Sequence, residues 1–398
     1  MPCDGATLAT VWGMRIAIIT ESFPPDVNGV SHCVLRVAEY LEGRGHHPLV
    51  IAPTPSSASS PPPTAATSPC PVVRVPSVPM PGYPSFRLGL PSRRIRKALT
   101  DHRTDLVHLA SPFVLGARGS ALGQHLGLPM VAVYQTDIPN YARAYRYGGV
   151  GEAAAWRWIR NVHNGAERTL APSAVSAKTL REHGVANVWL WGRGADTTRF
   201  DPAKRSARLR AALAPRGELL AGYVGRLAAE KRVDLLAPVA AMPGVRLVII
   251  GGGPEDAALR RAIPDAVFLG ERHGEELARI YASLDVFVHS GPFETFGQTL
   301  QEAGASGVPV IAPACGGPLD LVDEGVTGYL VRPGDAGAIA DAVSRLAADP
   351  ALRAAQGRAA RAKLAGRGWP ALCDELIGHY GAVLGGGTQA ARRAGVAA

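Results

Sequence analysis

The chain is poor in lysine: of 42 basic residues only Lys97, Lys178, Lys204, Lys231 and Lys363 are lysine. None lies on an apolar, strand-like run, which argues against a phosphorylase that carries pyridoxal phosphate on a buried lysine. Five cysteines (Cys3, Cys33, Cys70, Cys315, Cys373) are scattered with no CxxC spacing and no histidines at ligand distance. They outline neither a zinc site nor a disulfide framework, and read as ordinary thiols. There is no Asp-x-Asp pair, the usual support for a cation beside a diphosphate, so no metal and no other cofactor is expected. No apolar run reaches the ~18 residues needed to cross a bilayer. Residues 1–13 (MPCDGATLATVWG) lack the basic start and apolar core of a signal segment. The expectation is a soluble, cytoplasmic protein with Met14 as its native start and a disordered leader at 1–13.

What is present is a chain of 398 residues, 47% hydrophobic, long enough for two cores. A net charge of +9 favours acidic partners. Aromatic residues, at 6%, form no basic and aromatic platform, so nucleic acid is not among the expected partners. The arginine excess suits bidentate phosphate contacts and equally matches a composition heavy in Ala, Gly and Pro.

Short apolar runs alternate with helix-period segments throughout, the pattern of parallel, doubly wound sheets. In the first half, strands are expected at Arg15–Thr20, Pro48–Ala52, Val72–Val75, Leu106–Leu109, Val131–Tyr134 and Thr169–Ala171. Residues 53–71 read as a Pro/Ser-rich loop without chemistry. Ligands of such sheets gather at the carboxyl ends of strands, which singles out three loops. Asn28-Gly29 opens a helix whose free N–H groups attract anions. His108 to Pro112 and Gln135 to Asn140 end two more strands. Asp137 could hold a hydroxyl or cap a turn, and His108 could be no more than a satisfied strand-end histidine. The run Arg93, Arg94, Arg96, Lys97 makes one helix start strongly basic, either a solvated face or a contact with anionic membrane.

A cluster of Gly, Pro and charge between 188 and 205 marks a domain boundary. Beyond it, Gly225-Arg226 and Lys231 share one loop, and together suit a diphosphate. The stretch DVFVHSGPFETFGQTLQEAGASGVPV (285–310) reads as strand, polar loop, helix, strand. Glu294 falls on the loop and Glu302 about two turns into the helix, roughly 12 Å further along the axis, so one elongated polar ligand could be gripped at two points. Gly316-Gly317 begins another helix, a second place for phosphate.

The assembled order of PPDVNGVS, HLASP, AVYQTDIPNYA, RTLAPS, GRLAAEK and the Glu-x7-Glu stretch resembles the family 4 retaining glycosyltransferases of the GT-B fold over about 14–384. It resembles most closely their actinobacterial GDP-mannose-dependent α-mannosyltransferases acting on lipid acceptors. The resemblance implies two Rossmann-like domains facing across a cleft: 14–192 binding the acceptor, 193–368 the nucleotide-sugar donor. A last helix over 369–384 would cross back to the first domain, and 385–398 would be disordered. Carried over position by position, Arg226 and Lys231 take the diphosphate and Glu302 the ribose hydroxyls. Glu294 and the backbone of Thr295, Phe296 and Gly297 take the sugar. Gly29 lets the first domain approach the diphosphate; from the residues themselves, Gly225, Gly316 and Gly317 are expected to line the donor, and Asn28, His108, Gln135 and Asp137 the acceptor side. Gln135 stands where many relatives carry His, which puts a protonatable group there, and the part of Asp137, in doubt. The expected activity is metal-independent, retaining transfer of a hexose to a lipid-linked or glycolipid acceptor at the inner face of the plasma membrane. The alternatives are a UDP-sugar-dependent enzyme with a soluble acceptor and a nucleotide-sugar epimerase.

Overall fold

The computed structural model describes residues 13–26, 28–55, 68–80, 83–136, 148–192, 194–294 and 297–394. Two parallel sheets organise it. The first joins β1 (Arg15–Ile19), β2 (His47–Pro53), β3 (Val72–Val75), β6 (Leu106–Leu109), β7 (Met130–Val133), β8 (Arg168–Ala171) and β9 (Val188–Leu190) in the order β3-β2-β1-β6-β7-β8-β9. The second joins β10 (Leu219–Val224), β11 (Val245–Ile250), β12 (Val267–Gly270), β13 (Val286–Val288), β14 (Val310–Pro313) and β15 (Gly328–Val331) in the order β12-β11-β10-β13-β14-β15. Nearly every residue of the central strands is buried, because helices cover both faces. That is why these runs are continuously apolar instead of alternating.

One helix layer on the first sheet is α1 (Gly29–Gly43), and the other holds α2 (Arg93–Asp101) and α3 (Val114–Leu126). The α4 (Gly148–His163) and α5 (Ala174–Glu182) helices complete this half. Between β3 and α2 lies an antiparallel ribbon of β4 (Ser77–Met80) and β5 (Tyr83–Gly89) that the sequence pattern does not announce. Pro79 and Pro84 break its alternation, which an isolated two-stranded ribbon tolerates because half its backbone groups need no partner.

The final helix, Trp369–Ala394, is longer than the expected 369–384. It takes in residues 385–394 of the stretch expected to be disordered. Its Trp369, Cys373, Leu376, Tyr380 and Val383 pack into the core under the first sheet. The Trp191 indole N–H donates to the Leu372 carbonyl at 2.8 Å, and the Tyr380 hydroxyl lies 2.5 Å from His108 Nδ1, both groups buried. Tyr380→Phe is therefore expected to lower the urea midpoint by an amount equivalent to roughly 1–2 kcal/mol, since it leaves a buried ring nitrogen without its partner. An unchanged midpoint would show that the contact adds nothing.

Among the described residues, no helix is long and apolar enough to cross a membrane.

Candidate active site

Three loops of the second half leave the carboxyl ends of β10, β13 and β14, which are neighbours in the sheet. The loop after β10 carries Arg226 and a one-turn 3-10 segment, Ala229–Lys231. The loop after β13 carries His289, Ser290, Gly291 and Glu294, and ends at the helix Gln298–Ala305. The loop after β14 carries Gly316 and Gly317.

These loops are bound to one another at short range. Lys231 Nζ lies 2.9 Å from Glu294 Oε2, and the Gly297 N–H donates to Oε1 at 2.9 Å. Ser290 Oγ donates to the Lys231 carbonyl at 2.9 Å, and a Cβ on Gly291 would stand 3.0 Å from Lys231 Cα, so the two turns touch backbone to backbone. Arg226 pairs with Glu230, whose side chain is only 1% exposed. The buried Tyr223 feels the charges of Lys231, Glu294, Glu230 and Arg226 together, which places the four groups around one point. Arg232 instead pairs with Asp234, both exposed, and faces away.

The two glutamates sit in opposite electrostatic states. Burial alone would raise the Glu294 carboxyl, yet Lys231, His289 and the Gly297 N–H hold it below the usual carboxylate range. Burial raises the Glu302 carboxyl to about 7, against the lowering influence of Tyr281 and Gln298. Gln298 Nε2 also approaches the Gly194 carbonyl at 3.3 Å, so the second carboxylate faces the crossover between the halves. There Arg36 of α1 reaches Asp196 at 3.3 Å, and the Ala174 N–H, at the start of α5, donates to Asp320 at 2.5 Å.

Gly316 and Gly317 are tied to the Glu294 loop. The Gly317 N–H donates to the Glu294 carbonyl at 2.8 Å. Gly316, at φ +63°, has the same carbonyl where a Cβ would stand, only 2.4 Å away. The helix that follows, Pro318–Leu321, is a single turn. The pair supports the Glu294 loop, and its Gly317 N–H is spent within the protein. Gly225 joins the start of the loop after β10 to the end of β11, its N–H donating to the Ile250 carbonyl at 3.0 Å.

On the facing half, Asn28 caps α1, its Oδ1 accepting from the Val30 and Ser31 N–H groups, and Gly29 is the exposed first helical residue. Gln135 is buried just past β7, beside the end of β6. His108 does not join them. It lies within β6, 1% exposed and bonded to Tyr380, and burial lowers its pKa to about 3. The bonded edge of its ring is turned to the last helix, not to the expected acceptor side. Asp137, Thr295 and Phe296 lie outside the described residues. Sequence reasoning missed His289 and Tyr281. The first carries a signal, a histidine closing an otherwise apolar strand, whereas the second carries none. Among the described residues, no group of three or more His, Cys, Asp or Glu is arranged to hold a metal ion.

The family model described as Glycosyltransferase Family 4 matches residues 27–199, and that described as Glycosyl transferases group 1 matches 206–363. A GDP-mannose-dependent alpha-mannosyltransferase of Mycobacterium tuberculosis is 47% identical over 94% of this chain and 98% of its own. Its counterpart in Mycolicibacterium smegmatis is 49% identical over 94% and 98%. That of Corynebacterium glutamicum is 43% identical over 93% and 89%. Among solved structures, a sucrose-phosphate synthase from Thermosynechococcus elongatus aligns with TM-score 0.77 at 22% identity, over 93% of this chain and 99% of that one. Anabaena HepE in complex with UDP and glucose aligns with TM-score 0.75 at 20% identity, over 92% and 99%. The two Rossmann-like halves are those of a GT-B fold, and the chain belongs to the glycosyltransferase family that contains the actinobacterial GDP-mannose-dependent alpha-mannosyltransferases.

Proposed function

We propose that this enzyme moves mannose from GDP-mannose, with retention of anomeric configuration, to a lipid-linked or glycolipid acceptor. The observation that carries this reading is identity of 43–49%, spread over more than nine-tenths of the chain, to enzymes named for that donor. In this reading 193–368 binds the donor and 14–192 the acceptor. Arg226 and Lys231 meet the diphosphate, Glu302 accepts from the ribose hydroxyls, and Glu294 with the backbone of 295–297 accepts from the mannose. The acceptor enters from the side of Asn28, Gly29, Gln135 and Asp137. The departing phosphate oxygen takes the acceptor's proton on the face it leaves, which gives retention without a protein base. Cations at the phosphates supply the charge stabilisation that otherwise comes from a metal.

Transfer of label from GDP-[¹⁴C]mannose to a lipid extract tests the reading. Incorporation into the organic phase is expected, whereas sugar isomerisation without transfer would replace it with an epimerase. The rate is expected to be unchanged in excess EDTA. Loss of activity restored by Mn²⁺ would overturn the metal-free reading.

The enzyme is proposed to work from the cytoplasm at the inner face of the membrane. Arg93, Arg94, Arg96 and Lys97 are all exposed on α2. Arg93, Arg96 and Lys97 also line, with Arg118, a surface concavity of about 530 Å³, which suits an anionic lipid surface.

A further inference from the structure

The helix α5 begins at Ala174, and Ser173 caps it, Oγ accepting from the Ser176 N–H at 3.0 Å. A cap of this kind serves the second or third N–H of a helix and leaves the first without an intrahelical partner. Here that first N–H is met from the other half of the molecule. Ala174 donates to Asp320 Oδ2 at 2.5 Å, a short, charge-assisted bond at the positive end of the helix.

Asp320 sits on the single turn Pro318–Leu321, its own N–H donating to the Gly317 carbonyl at 3.1 Å. Gly317 donates in turn to the Glu294 carbonyl at 2.8 Å, and Gly316 packs against that same carbonyl. Asp320 is thus fastened to the Glu294 loop. On the facing half, Ala174 follows β8 across Pro172 and Ser173, and β8 lies beside β7, the strand that ends at the buried Gln135. One hydrogen bond therefore joins the loop that leaves β14 to the strand ends of the other sheet.

We propose that Asp320 is a positioning residue that latches the two halves together, holding the acceptor side at reacting distance from the sugar. The inference rests on the reaction proposed above, in which donor and acceptor occupy opposite halves and meet only while these stay joined. The partner of Asp320 is a backbone N–H, which a proline removes. Ser173 is extended, at φ −150° and ψ 158°, as a residue before proline should be, and the first position of a helix accepts proline readily. Ala174→Pro therefore deletes the donor and keeps the helix.

Loss of one hydrogen bond to a charged group shifts the balance between joined and parted halves about tenfold, so kcat for mannosyl transfer is expected to fall about three- to tenfold in Asp320→Ala. Ala174→Pro is expected to cost at least as much in the parent, and nothing further in the Asp320→Ala background. Small-angle X-ray scattering is expected to give a larger radius of gyration for both single variants and the double one, and melting curves check that each is folded. A fall of less than about threefold in Asp320→Ala would overturn the latch. If Ala174→Pro alone left kcat unchanged, Asp320 would act inside its own half and the latch would fall. Losses that multiply in the double variant, or a radius of gyration unchanged in all three, would overturn it as well. A parent that moves no mannose would sink the proposed reaction instead, and the scattering comparison would then decide the latch alone.

Discussion

Exchange of Lys231 for alanine is expected to lower kcat at least about a hundredfold, a loss near 3 kcal/mol of transition-state stabilisation. The size follows from two debts to one ammonium group. In the proposed reading its charge faces the diphosphate as the glycosidic bond breaks, when negative charge on the leaving oxygen is greatest. It also holds Glu294 ionised: the carboxylate is only 18% exposed and its low pKa depends on Lys231 and His289. Without the lysine, burial takes over and the carboxyl moves up. Alanine at 231 should therefore act partly through Glu294, and the double variant with Glu294→Ala should be less impaired than the product of the two single effects. Initial rates at saturating GDP-mannose across the four proteins complete the cycle. A single variant within tenfold of the parent would remove Lys231 from the diphosphate, and strict multiplicativity would uncouple the pair. Arg226 is a less clean target. Its partner Glu230 is almost wholly buried, so removing the arginine strands a carboxylate inside the protein and costs stability as well as activity.

The elements that proved legible from residues alone were those whose pattern is local. A continuous apolar run such as Leu247–Ile250 can be only a buried parallel strand or a short core helix, and the glycines that follow it decide for a strand. Spacing alone put Glu294 on a loop and Glu302 inside a helix, and both are so placed. Gly316 and Gly317 could not be judged this way. A Gly-Gly pair before a helix has the same local chemistry whether its N–H groups face a phosphate or a neighbouring carbonyl, and the choice made here depends on Glu294, some twenty residues earlier. The two readings of His108 could not be separated for the same reason, since its partner Tyr380 is 272 residues away. Tyr281 and His289 matter through burial, which composition does not reveal.

Glu302 should make nucleotide binding depend on pH. In the ligand-free protein burial lifts its carboxyl from an ordinary 4.5 to about 7, so near neutrality about half the molecules carry a proton there. To accept from two ribose hydroxyls the group must be ionised, because a protonated carboxyl offers a donor where two acceptors are needed. Binding thus expels a proton whenever the pH is below about 7, and GDP affinity is expected to rise about tenfold from pH 6 to pH 8. The same shift acts on folding with the opposite sign. Between 4.5 and about 7 the unfolded chain has released a proton that the folded chain keeps, so the ligand-free fold loses stability as pH rises through that window. Glu21, raised by burial to about 7 as well, adds to that slope. Glu302→Gln should flatten the GDP dependence and remove part of the stability slope, leaving the share due to Glu21. Glu302→Ala should weaken GDP about a hundredfold at pH 8, near 3 kcal/mol for two hydrogen bonds to a charged acceptor. Titration calorimetry in two buffers of different ionisation enthalpy counts the proton directly. Equal heats in both buffers at pH 6 would mean that Glu302 is already ionised, or that the ribose is held elsewhere.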